Sequence, residues 1–255
     1  MARLVVVSDA GAVAEAAADR VVAVLGGAIE MRGVAHLALT GGSSAAALYE
    51  ALLDPIRRSA VDWPRVEAWW GDDRLVDRSD PHSNVLAAQP ILEPEHGLGL
   101  DPRRVHPFPI DVAAAGGHEA AWVAETYAAR LRERLPSDLA GDPILDLVLL
   151  GMGGDGHMLS VFPGSPALEP GTPIVMAVPA PTHIEPHLAR VTINPRLVAA
   201  ARAVLVMCSG AAKADRLAEV LEGPIDPRLL PAQVACGANA TWIVDRAAAS
   251  GLREA

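Results

Sequence analysis

Short runs of consecutive apolar residues recur along this chain, each closed by a glycine, a proline or a polar loop, with Ala-rich helical stretches between them. Runs of that kind mark buried strands, and the alternation of strand and helix marks an α/β protein. Arg3 to Val7 reads as a strand and Ala12 to about Ile29 as a helix. His36 to Leu39 is a second strand, followed by Thr40-Gly41-Gly42-Ser43-Ser44 and a helix to Leu53. Val66 to Trp70 forms a third strand, Gly71 to Pro81 a charged loop, and Ser83 to Gln89 a short helix. The Pro-, Gly- and His-rich segment from Pro90 to Gly117 has little periodicity and reads as an irregular excursion. A helix from about His118 to Leu135 precedes a strand at 146–150. Strands at Ile174–Val178, Arg190–Ile193 and Ala203–Cys208, a helix from Ala211 to Leu221 and a strand from Thr241 to Val244 complete the pattern. The order predicts a mostly parallel sheet with helices on both faces. No internal repeat or low-complexity linker divides it, so residues 1–255 read as a single domain.

One stretch concentrates the chemistry: Asp146 to Pro163, DLVLLGMGGDGHMLSVFP. The apolar run Leu147–Leu150 ends at Gly151, and Gly153, Gly154 and Gly156 enclose Asp155, with His157 next. Glycines allow close approach of backbone to a ligand, and the carboxylate and imidazole supply acid–base capacity. Gly151, Gly153 and Gly156 also match G-x-G-x-x-G, but a dinucleotide site needs a full helix after the last glycine and an acid ending the next strand. Pro163 and Gly164 leave room for hardly two turns, and Ile174–Val178 ends in Pro179. The sheet is therefore read as Rossmann-like without a dinucleotide site.

Composition sharpens this picture in three places. Apolar residues make up 51% and aromatics only 4%, so Ala, Val and Leu must build most of the core. No apolar run approaches membrane-spanning length and the start, MARLVVVSDAG, lacks a signal-peptide pattern; with Cys208 and Cys236 read as reduced thiols, this points to a cytoplasmic protein without a membrane partner. The net charge of −10 argues against nucleic acid and requires a locally positive pocket for any anionic substrate.

Lys213, the only lysine, follows Cys208-Ser209-Gly210 at a helix start. A cation there opposes the helix dipole by about 0.3–1 kcal/mol, which a bound anion would offset, so a ligand role is favoured over a solvated lysine. Thr40-Gly41-Gly42-Ser43-Ser44 between strand and helix reads equally well as a phosphate cradle or as an ordinary turn with a Ser N-cap. It lacks the lysine of a nucleotide P-loop. Arg190, opening a strand, could reach the same anion, although alone it reads as a surface residue. Asp72-Asp73-Arg74 follows Trp69-Trp70 and offers carboxylates for a metal or for acid–base work and a guanidinium for an oxyanion; a solvated acidic loop is the plainer account. His157 is favoured as a general base, since histidine, with an ordinary pKa of about 6.5, is mostly neutral at pH 7.

Four ordered blocks, LALTGGSSAAALYEAL, WWGDDRLVDRSDPHSNVLAA, LDLVLLGMGGDGHMLSVFPGSPAL and RVTINPRLVAAARAVLVMCSGAAKADRL, together resemble the 6-phosphogluconolactonase family, within the wider group that includes glucosamine-6-phosphate isomerase/deaminase. Two departures stand out. Met158 replaces the family's threonine after Asp-Gly-His, with an expected effect on pocket polarity, and Asp73 replaces the glutamate of Asp-Glu-Arg.

The resemblance implies hydrolysis of 6-phosphoglucono-δ-lactone to 6-phosphogluconate, a step of the pentose phosphate pathway, without metal or organic cofactor. It implies that Gly41, Gly42, Ser43, Arg190 and Lys213 hold the phosphate. His157, oriented by Asp155, would deprotonate the attacking water, and Arg74, oriented by Asp72, would steady the oxyanion or sugar hydroxyls. The expected partner is a small phosphorylated sugar lactone, and the expected state a monomer. Two other readings stand beside this one. A sugar-phosphate isomerase/deaminase would carry Asn-Glu-Pro shortly after Asp-Gly-His, where this chain has Val161-Phe162-Pro163. A non-catalytic sugar-phosphate sensor would not need the Asp155/His157 pair.

Overall fold

A computed structural model describes residues 1–253; Glu254 and Ala255 lie outside the described residues. The strands are β1 (Arg3–Val7), β2 (Ala35–Leu39), β3 (Val66–Trp70), β4 (Asp72–Arg74) and β5 (Val105–His106). They continue with β6 (Leu147–Gly151), β7 (Val175–Val178), β8 (Arg190–Ile193), β9 (Val204–Cys208) and β10 (Ala240–Asp245). Seven of them form a parallel sheet in the order β1-β10-β9-β6-β2-β3-β5. Every residue of β2, β3, β9 and β10 is buried, which requires cover on both faces and explains why their sequences are mostly apolar rather than alternating, with His36, Glu67, Thr241 and Asp245 as the buried polar exceptions.

The long helix Ala10–Arg32 starts where the Asp9 carboxylate accepts the Ala12 N–H and stops at Gly33, whose φ of 76° suits a residue without Cβ. It lies across β2, β6, β9 and β10 and against the helix Ser43–Leu52. From β2 the chain builds outward through β3 and β5, then returns to β6 on the other side of β2 and builds outward again through β9 and β10. The strand order thus reverses between β2 and β6, and an open α/β sheet leaves a crevice at the carboxyl ends of such a pair.

Two expectations need correction. The strands at 174–178 and 190–193 do not enter the parallel sheet; with β4 they form a separate antiparallel sheet, β4-β8-β7. An antiparallel pair needs no crossover helix, and the segment between β7 and β8 contains none. Part of the supposed charged loop after Trp70 is accordingly a strand, pairing Asp72 with Thr192 and Arg74 with Arg190. Gly71 joins the sheets: its N–H donates to the Leu39 carbonyl at 2.9 Å and its own carbonyl accepts from Ile193 at 2.8 Å.

The 90–117 excursion is also more ordered than its sequence suggests. It contains the helices Gln89–Leu92 and Ile110–Gly116 and the edge strand β5, paired to Ala68 and Trp69. Two residues are too few for a readable period; what fixes them is tertiary, with His106 stacked on Trp69 at 4.3 Å and bonded to Glu67. The short helix expected at 83–89 runs only from Asn84 to Ala87, capped by Ser83, and Gln89 already belongs to the next helix, Gln89–Leu92.

Candidate active site

Loops from the carboxyl ends of β2, β3, β6 and β9 enclose a cavity of about 260 Å³. Its rim contains Gly41 to Ser44, Asp72, Arg74, Asn84, Gly153, His157, Arg190 and Lys213.

The loop after β6 brings the Asp155 carboxylate onto His157. Oδ1 of Asp155 lies 2.5 Å from Nδ1 of the imidazole and accepts the His157 backbone N–H at 3.1 Å. Nδ1–H to Asp155 fixes the tautomer in which Nε2 carries the free lone pair. Burial alone would raise the Asp155 pKa; hydrogen bonds and charge from His157, with a further bond from His183, outweigh it and hold the carboxyl well below its usual range. Only glycine fits at 153, because a Cβ there would sit 2.0 Å from His157 Nδ1 and 2.7 Å from Asp155 Oδ1. The glycine cluster thus makes room for the pair itself.

The opposite walls are basic. Arg74 and Arg190 are cross-strand neighbours in β4 and β8. The Arg74 Nη1 donates to the His82 carbonyl at 2.6 Å, and Arg190 Nη2 donates to Pro186 at 3.2 Å. Nε of each is buried without a partner. Burial, then the Arg74 charge, lower the Arg190 pKa against the pull of Asp72, yet a guanidinium stays charged. Two adjacent cations with unspent donors form a site that an anion completes.

Lys213 ends the turn Ala211–Lys213 that leads into the helix Ala214–Glu222, with Gly210 held through its N–H by the Asp245 carboxylate at 3.0 Å. The helix Ser43–Leu52 adds its N-terminus. No side chain caps it; its N-cap is Gly42, at φ 92°, rather than a serine. Its first residues, Ser43 and Ser44, line the cavity, where a helix start offers N–H groups without intrahelical partners.

Between these walls sits Asp72, only 4% exposed. Its carboxylate accepts from Ser160 Oγ at 2.6 Å and from Asn84 Nδ2 at 3.2 Å. Leu159, at φ 53°, turns the chain so that Ser160 reaches it. Asp73 points away from the cavity and accepts the Asn84 and Arg74 N–H groups at 2.7 and 2.8 Å; burial, only partly offset by those bonds, pushes its pKa up to about 6. Cys208 also reaches the cavity, but burial raises its thiol to about 11, so it is no thiolate nucleophile at neutral pH.

Residues 8–243 match the model of the glucosamine-6-phosphate isomerases/6-phosphogluconolactonase family. The chain belongs to that family. A 6-phosphogluconolactonase from Streptomyces coelicolor is 35% identical over 98% of this chain and 94% of its own length. One from Mycobacterium tuberculosis is 33% identical over 96% of each. Among solved structures, the 6-phosphogluconolactonase of Trypanosoma brucei superposes with a TM-score of 0.85 at 26% identity, covering 99% of both chains. A monomeric glucosamine-6-phosphate deaminase shares the fold at 17% identity and a TM-score of 0.76, covering 98% of this chain and 99% of its own.

All of Gly41, Gly42, Ser43, Asp72, Arg74, His157, Arg190 and Lys213 come together around the cavity, with Asp155 directly behind His157. Two expectations change. Asp72 is bonded to Ser160 and Asn84, not to Arg74, whose guanidinium is held by the His82 carbonyl instead. Met158 is buried in the core and does not line the cavity, so it has no direct hold on pocket polarity. Trp69 and Trp70 are fully buried in the core. Sequence reasoning missed Ser160, Asn84 and His183, since a lone Ser, Asn or His has no spacing signal until the fold sets it against a carboxylate.

Proposed function

We propose that this family member hydrolyses 6-phosphoglucono-δ-lactone to 6-phosphogluconate. The observation that carries the reading is the imidazole of His157, tied through Nδ1 to Asp155, on the edge of a cavity whose other walls hold Arg74, Arg190 and Lys213. In this mechanism His157 Nε2 takes a proton from water as the oxygen attacks the lactone carbonyl carbon. The carbonyl oxygen becomes an oxyanion beside Arg74, which supplies charge where it develops. Collapse breaks the bond from that carbon to the ring oxygen, and the proton on His157 passes to the departing alkoxide. The free acid ionises as the product carboxylate.

The phosphate, with a charge of about −1.5 to −2 at pH 7, is assigned to Arg190, Lys213, Gly41, Gly42 and Ser43. This localised positive wall suits an anionic substrate in a chain of net charge −10. The reading extends to a cofactor-free, monomeric cytoplasmic enzyme of one domain; the free thiols of Cys208 and Cys236 fit a reducing compartment. Among the described residues no helix is long and apolar enough to cross a membrane.

Isomerisation or deamination of an amino sugar phosphate is the second reading, because the Asp72 carboxylate lines the same cavity and offers another proton acceptor. Against it, residues 158–163 contain no carboxylate, and Ser160 is committed to Asp72. The test is lactone hydrolysis by the purified protein, corrected for the spontaneous reaction, beside ammonia release from glucosamine 6-phosphate. Hydrolysis is expected, with kcat about 10²–10⁴-fold lower in His157→Ala at similar KM. Ammonia release above the His157→Ala background would establish the second reading instead, and a His157→Ala enzyme with unchanged kcat would move the base elsewhere.

A further inference from the structure

The proposed mechanism uses one oxygen of Asp155; the other is also occupied. Oδ2 lies 3.2 Å from Nε2 of His183, a half-exposed residue in the segment joining β7 to β8. That segment is braced by one bond within itself and tied to the cavity wall by another. Nδ1 of His187 bonds the Pro181 carbonyl at 2.6 Å, and Arg190, itself on the cavity wall, donates to the Pro186 carbonyl. Phe162 completes the arrangement. His157 packs tilted on its ring at 4.7 Å between centroids, His183 stands edge-on at 5.6 Å, and the Arg190 guanidinium lies 5.2 Å from its centre.

We propose that His183 is a positioning residue for the base, holding Oδ2 of Asp155 so that Oδ1 stays on His157. The inference rests on the reading of His157 as base. A carboxylate bonded through one oxygen can swing about its last torsion, which for aspartate is broad. A second donor on the other oxygen narrows that rotation, and with it the direction in which His157 presents Nε2. The bond needs the proton on His183 Nε2 and leaves Nδ1 of that ring unprotonated in the neutral form. It also helps keep Asp155 ionised, the state that accepts from both rings. His183 touches neither the water nor the lactone in this scheme.

His183→Ala in the full chain is expected to lower kcat about threefold to tenfold, less than a bond to a carboxylate is worth when buried, because His183 is half-exposed and acts only through Asp155, with KM within about twofold of wild type. His183→Gln, which keeps an N–H donor on a side chain of similar reach, should restore most of the loss. A second readout needs no substrate. In ¹⁵N-labelled protein the Nδ1–H signal of His157 should persist in wild type and His183→Gln and broaden through faster exchange in His183→Ala. Wild-type kcat and an unchanged signal in His183→Ala would overturn the inference. So would a loss that His183→Gln fails to restore, since that is damage to the segment and not loss of a donor. Absence of lactone hydrolysis in the wild type would defeat the functional reading alone, and the His157 signal would still decide the positioning role.

Discussion

Lys213 stands where the protein itself gains little from a cation, in the turn that starts the helix Ala214–Glu222, at the positive end of its dipole. Its ammonium shares the cavity with Arg190 and the uncapped N-terminus of the helix Ser43–Leu52, so only an anion makes the cluster favourable. Lys213→Ala should therefore raise KM for the phosphorylated lactone while leaving most of kcat, because the phosphate is remote from the reacting carbonyl. Loss of one charge-assisted contact is worth about 1.5–3 kcal/mol, or roughly 10–150-fold. Initial rates over a range of lactone concentrations check it; unchanged KM would remove Lys213 from the phosphate grip. Its uniqueness made this residue legible in the sequence. Ser160 was not legible, because a serine in an apolar run gains meaning only when the Leu159 turn sets it on Asp72.

At the scale of elements, the short strand β4 and the loop after β6 hold two carboxylates that burial pushes the same way but whose pKa values end on opposite sides of the usual range. Asp73 is buried against the helix Asn84–Ala87, and its pKa rises to about 6, whereas Asp155, bonded by two histidines, is held below the usual range. The folded state therefore binds the Asp73 proton more tightly than the unfolded chain does. This contribution is fully present below an unfolded pKa of about 3.9 and is lost as pH rises through about 6. For Asp155 the sign reverses: its contribution is present above the unfolded pKa and is lost as pH falls toward its depressed folded value. Lowering pH from 7 to 4 should thus stabilise wild type relative to Asp73→Asn. Relative to Asp155→Asn, wild type should lose its advantage only below about pH 4. Urea denaturation of the three proteins across that range measures both trends, and parallel curves would refute the assignment of either site.

Across the whole molecule, the carboxyl ends of the parallel strands carry the cavity, while a second polar cluster sits apart from it. There His36 and His106 are buried, with Asp146 bonded to Arg32 and to the His36 N–H, and Glu67 bonded to Arg104 and His106. Burial lowers the proton affinity of both imidazoles, against the opposing charges of Asp146 and Glu67 at His36 and the Glu67 bond and charge at His106. As pH falls below about 6.5, the unfolded chain takes up protons that the folded state resists, so stability present above that pH is lost. Thermal midpoints should fall between pH 7.5 and 6, and the fall should be shallower in His36→Gln. An equal slope in that variant would exclude His36 as a contributor.

The alternation of apolar runs and helices determined the α/β class, the buried strands and the places where glycine breaks them, because solvent exclusion and backbone sterics act on local pattern. The four blocks carried the candidate cavity residues for the same reason: all but Arg190, which opens β8, lie within a few residues of the carboxyl end of a parallel strand. Tertiary structure alone decided that β7 and β8 leave the parallel sheet, since an isolated apolar run does not record its pairing partner. It also decided that Val105–His106 is a strand at all, through the stack on Trp69 and the bond to Glu67. The same holds for Asp155, whose second oxygen meets His183 from 28 residues away. Contacts at that separation arise from how elements dock, and no local periodicity encodes them.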